Sequence, residues 1–119
     1  MFDVEGKVIS LSRGDTGAIK FIADTDYSFS ENDRALFSIK NSVGEVVKQA
    51  AFELDENKAF VVTFFNADTD NLPPGTYNWD VRYIINPYYD AEGNIIDGDQ
   101  VITPEQPMTL NLLNVVGEI

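Results

Sequence analysis

The sequence predicts an all-β fold, a Greek-key β-sandwich of about seven or eight strands, and three observations carry the prediction. Short apolar runs recur between clusters of Gly, Asn, Asp and Pro. Several runs alternate apolar and polar side chains with the period of two that a half-buried strand requires. No stretch carries a capped apolar stripe of helical period. Residues 1–119 are read as one domain, a length that buries about 65% of its unfolded surface and so builds its own core.

The elements follow in order. Residues 7–11 ("KVISL") form the first predicted strand. Residues 17–24 ("GAIKFIAD") place Ile19, Phe21 and Ala23 on one face and Lys20 and Ile22 on the other. Residues 34–40 ("RALFSIK") place Ala35, Phe37 and Ile39 together, and a turn at Gly44 needs a residue free to take positive φ. Residues 45–54 return as a strand, although Ala50, Ala51, Glu53 and Leu54 also suit a short helix. A second turn at 55–58 ("DENK") leads into residues 59–65 ("AFVVTFF"). That run is β-branched and aromatic, and apolar on both faces, so at least one end is expected to be covered on both sides. In the next strand Tyr77, Trp79, Val81 and Tyr83 point one way and Thr76, Asn78, Asp80 and Arg82 the other. Residues 86–100 read as a long loop with a turn at "AEGN" and a short hairpin around Ile95 and Ile96; residues 108–116 ("MTLNLLNVV") close the fold. One helical turn is expected at 30–34 ("SENDR"), capped by Ser30 and Asp33.

The stretch "LPPGTYNW" sharpens the fold class to an immunoglobulin-like sandwich. There a Gly precedes a Tyr by two, a core residue follows by two, and the Tyr hydroxyl ties down the preceding connection. Gly75, Tyr77 and Trp79 hold those places. Tyr77, Trp79, Val81, Phe21 and Phe37 are the predicted structural core.

Composition narrows function by exclusion. The chain has no Cys and no His, which removes disulfides, thiolate metal sites, the commonest general base and the commonest zinc ligand. Its net charge of −12 opposes nucleic acid and anionic membranes, because affinity for both comes from Lys and Arg. The start "MFDVEGKVIS" lacks a basic and an apolar signal region, and no apolar run approaches the ~20 residues of a membrane helix. The expectation is a chain made in the cytoplasm.

Candidate chemistry reads mostly as turn chemistry. The pairs Asp24 and Asp26, Asp68 and Asp70, and Asp97 and Asp99 sit in turn-like segments, where Asp bonds nearby backbone. "DTDNL" and "DAEGNIIDGD" supply oxygen ligands but match no calcium loop, so neither catalytic nor metal residues nor a cofactor is assigned. "GDTG" (14–17) lacks the Lys and Ser/Thr of a phosphate loop. "PYYD" places two adjacent tyrosines on a loop, and Tyr88, Tyr89 and Asp90 are the candidate contacts for a partner or ligand.

The order of motifs resembles a known family. "GDTG", "FSIKNSVGEVV", "AFVVTFF", "ADTDNLPPGTYNWDVRY", "EGNIIDG" and "TLNLLNVVGEI" follow one another as in the small N-terminal sandwich of phage baseplate upper proteins. Related tail-associated proteins occur in phages and prophages of Gram-positive bacteria. The resemblance covers nearly the whole chain and rests on turn-and-strand signatures. It implies an immunoglobulin-like, non-enzymatic virion protein of the tail baseplate, whose partners are other tail proteins or further copies of itself. It carries no catalytic residues. In that family the sandwich usually precedes longer helical and fibre portions, whereas the sequence here ends at Ile119, so receptor binding is not carried over. The alternative is a carbohydrate-binding or adhesion-type module that stacks sugars on Tyr27, Tyr88 and Tyr89. Trp79→Ala should cost about 3 to 5 kcal/mol in chemical denaturation, and a loss below about 1 kcal/mol would place the indole outside the core.

Overall fold

A computed structural model describes residues 1–103 and 108–114 of the chain. Nine strands and one short helix occur among them: β1 (Phe2–Glu5), β2 (Val8–Ser12), β3 (Gly17–Ile22), β4 (Arg34–Lys40), β5 (Val46–Phe52), β6 (Ala59–Phe64), α1 (Asn66–Thr69), β7 (Gly75–Tyr89), β8 (Ile95–Ile102) and β9 (Met108–Leu113). Val115 and Val116, expected to end the last strand, lie outside the described residues. The strands form two layers of unequal width, an all-β sandwich. A seven-stranded sheet runs β1-β2-β9-β7-β4-β5 with β8 added on β7, and a two-stranded sheet pairs β3 with β6. Every pairing is antiparallel except β2 with β9.

β7 is the spine of the large sheet. On one edge it pairs with β4 from Asn78 to Ile84. On the other it takes two partners in succession, β9 along Gly75–Trp79 and β8 along Tyr83–Tyr89. The period of two puts Tyr77, Trp79, Val81 and Tyr83 on the inner face, all buried, with Ala35, Phe37 and Ile39 beside them on β4. From the small sheet, Phe60, Val62 and Phe64 are buried against this face. Phe21 is half-buried: it stacks on Phe60 with centroids 5.2 Å apart and tilts against Trp79 at 5.3 Å. Phe37 meets Phe64 edge-on at 6.1 Å, and Phe60 meets Tyr83 edge-on at 6.4 Å. Each such pair contributes about 0.5–1.5 kcal/mol beyond the apolar area it buries.

The connections are fixed by identifiable bonds. The Tyr77 hydroxyl donates to the Pro73 carbonyl at 2.5 Å, tying the strand to the turn before it. The Trp79 indole N–H donates to the Lys7 carbonyl, so the core ring also holds the β1–β2 turn. Gly44 takes φ +85 in the β4–β5 turn, where Asn41 Oδ1 accepts the Val43 and Glu45 N–H groups. Gly17 has a different reason to be glycine: a Cβ there would run into the Phe2 ring.

Some expectations hold and others are corrected. β1 precedes the first predicted strand; it forms because Phe2 and Val4 pair across from Leu11 and Ile9 on the buried face. The 45–54 segment is strand at Val46–Phe52, since β4 offers it an edge and apolar partners that outweigh its helix propensity. The helix lies instead at Asn66–Thr69, where the Asp68 carboxylate accepts the Phe65 N–H. Thr69 accepts the Gly14 N–H and Asn66 donates to the Gly14 carbonyl, so α1 is seated on the "GDTG" loop. The turn and hairpin expected within residues 86–100 are present, but the segment is not a long loop. β7 continues through Tyr89, a tight turn spans 90–94, and β8 returns, making a two-stranded arm. Pro87 lies beyond Ile84, where β4 ends and β7 becomes an edge strand. In "AFVVTFF", Ala59 and Phe60 are both buried, so that end is covered on both faces; Val61 (49% exposed) and Phe65 (63%) are not.

Asp33 joins the arm to the body. It is 2% exposed; its Oδ2 accepts the Ser30 N–H at 2.7 Å and its Oδ1 accepts the Asn86 N–H at 2.9 Å. Asn86 sits at φ +49, a conformation Asn adopts more readily than most residues. Asp33→Ala strands both donors and should lower stability by about 2 kcal/mol in urea denaturation, with faster amide exchange at Asn86; an unchanged midpoint would refute this role.

Candidate interaction surface

The widths of the two layers leave apolar surface uncovered. β2, which precedes β3 in the chain, has joined the large sheet by pairing with β9, so β3 has β6 on one edge and no described strand on the other. A groove of about 280 Å³ opens along that edge. Its floor is the inner face of the large sheet, at Ile9, Trp79, Val81 and Met108, and its wall is Ile19 and Phe21 of β3. Lys7, Lys20 and Asp24 stand at its rim. No β6 residue contributes, which puts the groove wholly on the open side of β3. The outer face of the same small sheet carries two exposed apolar side chains, Ile22 at 64% and Val61 at 49%.

The arm carries the three residues singled out from the sequence. Tyr88 and Tyr89 are the last two residues of β7, both about half exposed, and Asp90 begins the turn. The tyrosines keep different company. The Tyr88 hydroxyl donates to Asp99, which also accepts from Asn86 Nδ2 at 2.8 Å. Tyr89 instead lines a small polar hollow with Asn32, Arg34, Asn86 and Pro87. Asp90 serves the turn: its Oδ1 accepts the Glu92 and Asn94 N–H groups. Tyr27 tilts against Phe29, which packs on Tyr83.

The carboxylates are largely committed to local structure. The Asn94 N–H, then that of Glu92, holds the Asp90 carboxyl below the usual range. Burial pushes the Asp68 carboxyl up, but the Lys48 ammonium at 2.5 Å and the Phe65 N–H outweigh it and the net shift is downward. That ion pair links β5 of the large sheet to α1 at the end of β6. Asp97 accepts the Gly98 N–H and Asp24 borders the groove. Among the described residues no three acidic groups converge as a metal ligand set, and no helix is long and apolar enough to cross a membrane.

Sequence reasoning located the tyrosines but missed the groove residues Ile9, Ile19, Lys20 and Met108. Their apolar members read as ordinary core; the pairing of β2 with β9 sets them beside the open edge of β3, with Ile9 buried at the floor and Ile19 and Met108 half-buried. No family model matches the chain, and no curated protein matches it.

The Tyr88 hydroxyl, then the Asn86 amide, holds Asp99 below the usual carboxylate range, and the same contact raises the Tyr88 phenol. In Tyr88→Phe the Asp99 carboxyl should therefore titrate at higher pH, followed by carbon-detected NMR. An unmoved titration would show that the contact does not persist in solution.

Proposed function

We propose that the protein is a non-enzymatic structural component of a phage or prophage virion, an immunoglobulin-like module of the tail baseplate that works through protein–protein contacts. The observation that carries the contact-making role is the incomplete second layer: an apolar groove and an open strand edge beside β3, with exposed Ile22 and Val61 on the outer face. Apolar grooves and open strand edges of this kind mark places where proteins meet. The tail assignment rests on the resemblance in motif order. It is supported by the Tyr77 hydroxyl on the Pro73 carbonyl and by the strand-rich, two-layer architecture. The acidic surface disfavours nucleic acid, so contacts with other tail proteins are the role proposed.

A carbohydrate-binding role is the second reading, favoured by one feature, the exposed Tyr89 ring beside Asn32, Arg34 and Asn86. Mass spectrometry of particles from an induced host separates the two. The tail role requires the protein in purified particles at a fixed ratio to other tail proteins. Consistent absence from particles, with glycan-array binding that Tyr89→Ala abolishes, would replace it with the second.

A further inference from the structure

We propose that β3 is an acceptor edge: it takes an added strand from a different protein, one with apolar residues on either side of an acidic residue. This deepens the reading of the chain as a contact-making module and rests on it.

The ladder phase shows which backbone groups are on offer. The Ala23 N–H donates to the Lys58 carbonyl at 2.8 Å, continuing the β3–β6 register in which Phe21 faces Phe60 and Ile19 faces Val62. In an antiparallel pair, hydrogen-bonded residues alternate with residues whose N–H and C=O point away. Gly17, Ile19 and Phe21 therefore bond β6, and the backbone groups of Ala18, Lys20 and Ile22 face the open edge. None of these three makes a backbone bond to any described residue on that side. A strand added there gains main-chain hydrogen bonds from the edge and specificity from alternate side chains.

The groove sets the inward side chains. Residues of the incoming strand opposite Ile19 and Phe21 point onto Ile9, Trp79, Val81 and Met108. The groove's volume, about 280 Å³, lies just below the ~300–1,000 Å³ of small-molecule pockets, and it runs along a strand rather than closing around a centre.

Charge selects between a second copy and a foreign strand. Two copies pairing β3 on β3 with all three open residues engaged place Lys20 opposite Lys20, and like charges directly opposite are unfavourable. Lysine on an edge strand is also a known guard against self-pairing. The net charge of −12 on each copy opposes the approach further. A carboxylate opposite Lys20 reverses the sign of that contact, and Lys7 at the rim adds to it.

The test uses a nine-residue peptide alternating threonine and valine, with glutamate as its central residue on the threonine side. Peptide at saturation should slow amide exchange at Ala18, Lys20 and Ile22 by at least about tenfold and leave Ile19 and Phe21 unchanged. The same peptide with central lysine should bind at least about tenfold more weakly, and Lys20→Glu should invert that preference. Ala18→Pro removes one edge donor without touching the β6 ladder; it should keep its melting temperature and lose peptide affinity. Failure of the three amides to slow, or equal slowing throughout the chain, overturns the proposal. Slowing that depends on protein concentration without peptide assigns the edge to a second copy and overturns the choice of partner. Protein present in particles but blind to the peptide sinks this inference alone; peptide binding by a protein absent from particles sinks the virion reading alone.

Discussion

Two strands have to cover one face of a seven-stranded sheet, and aromatic rings bear most of that task. Phe21, Phe60 and Phe64 reach across from the small sheet to Phe37, Trp79 and Tyr83. Aliphatic side chains on two strands would span less of the inner face, since each aromatic ring buries far more area. The rest of the architecture follows from this narrow lid. β3 and β6 place Phe21, Phe60 and Phe64 inward with Ile19 and Val62 between them, and Gly17 must lack a side chain so that the Phe2 ring can close one end. The groove runs along the open side of β3, where Phe21 in its wall meets Trp79 on its floor.

Polar bonds fix the orientation that the rings alone would leave loose. Stacked aromatics tolerate sliding, whereas the Tyr77–Pro73 bond, the Trp79–Lys7 bond and the Lys48–Asp68 pair each have one geometry. Each also crosses an element boundary: strand to preceding turn, core ring to hairpin, large sheet to helix. Asp33 does the same for the arm, with two backbone donors on one buried carboxylate. The Lys48–Asp68 contribution is present above the ordinary aspartate pKa. It fades as pH falls through the lowered value of Asp68 in the folded state.

The strands were legible where side-chain alternation is decisive. Tyr77, Trp79, Val81 and Tyr83 announce a half-buried strand on sequence alone, and "LPPG" announces the turn before it. What stayed hidden depends on partners far along the chain. β1 is four residues long and earns its state only by lying against Leu11 and Ile9. Asn86 and Pro87 read as a break, yet they sit where β7 has become an edge. α1 exists because Asp68 caps it and Gly14 receives it, 52 residues away from Asn66. The groove was the least legible feature, because Ile19 and Phe21 carry the same apolar signature whether a strand covers them or not.

The parallel pairing of β2 with β9 gives the fold a mechanical character. The strand nearest the chain's beginning in this pair lies beside the one nearest its end, and both run the same way. Tension applied through the two ends first peels β1 from β2, bond by bond. It then pulls β2 and β9 in opposite directions along their shared axis, so that the Ile9–Leu110 to Ser12–Leu113 ladder is loaded in shear with its bonds sharing the force. A domain threaded this way resists stretching at its own seam before its core gives way.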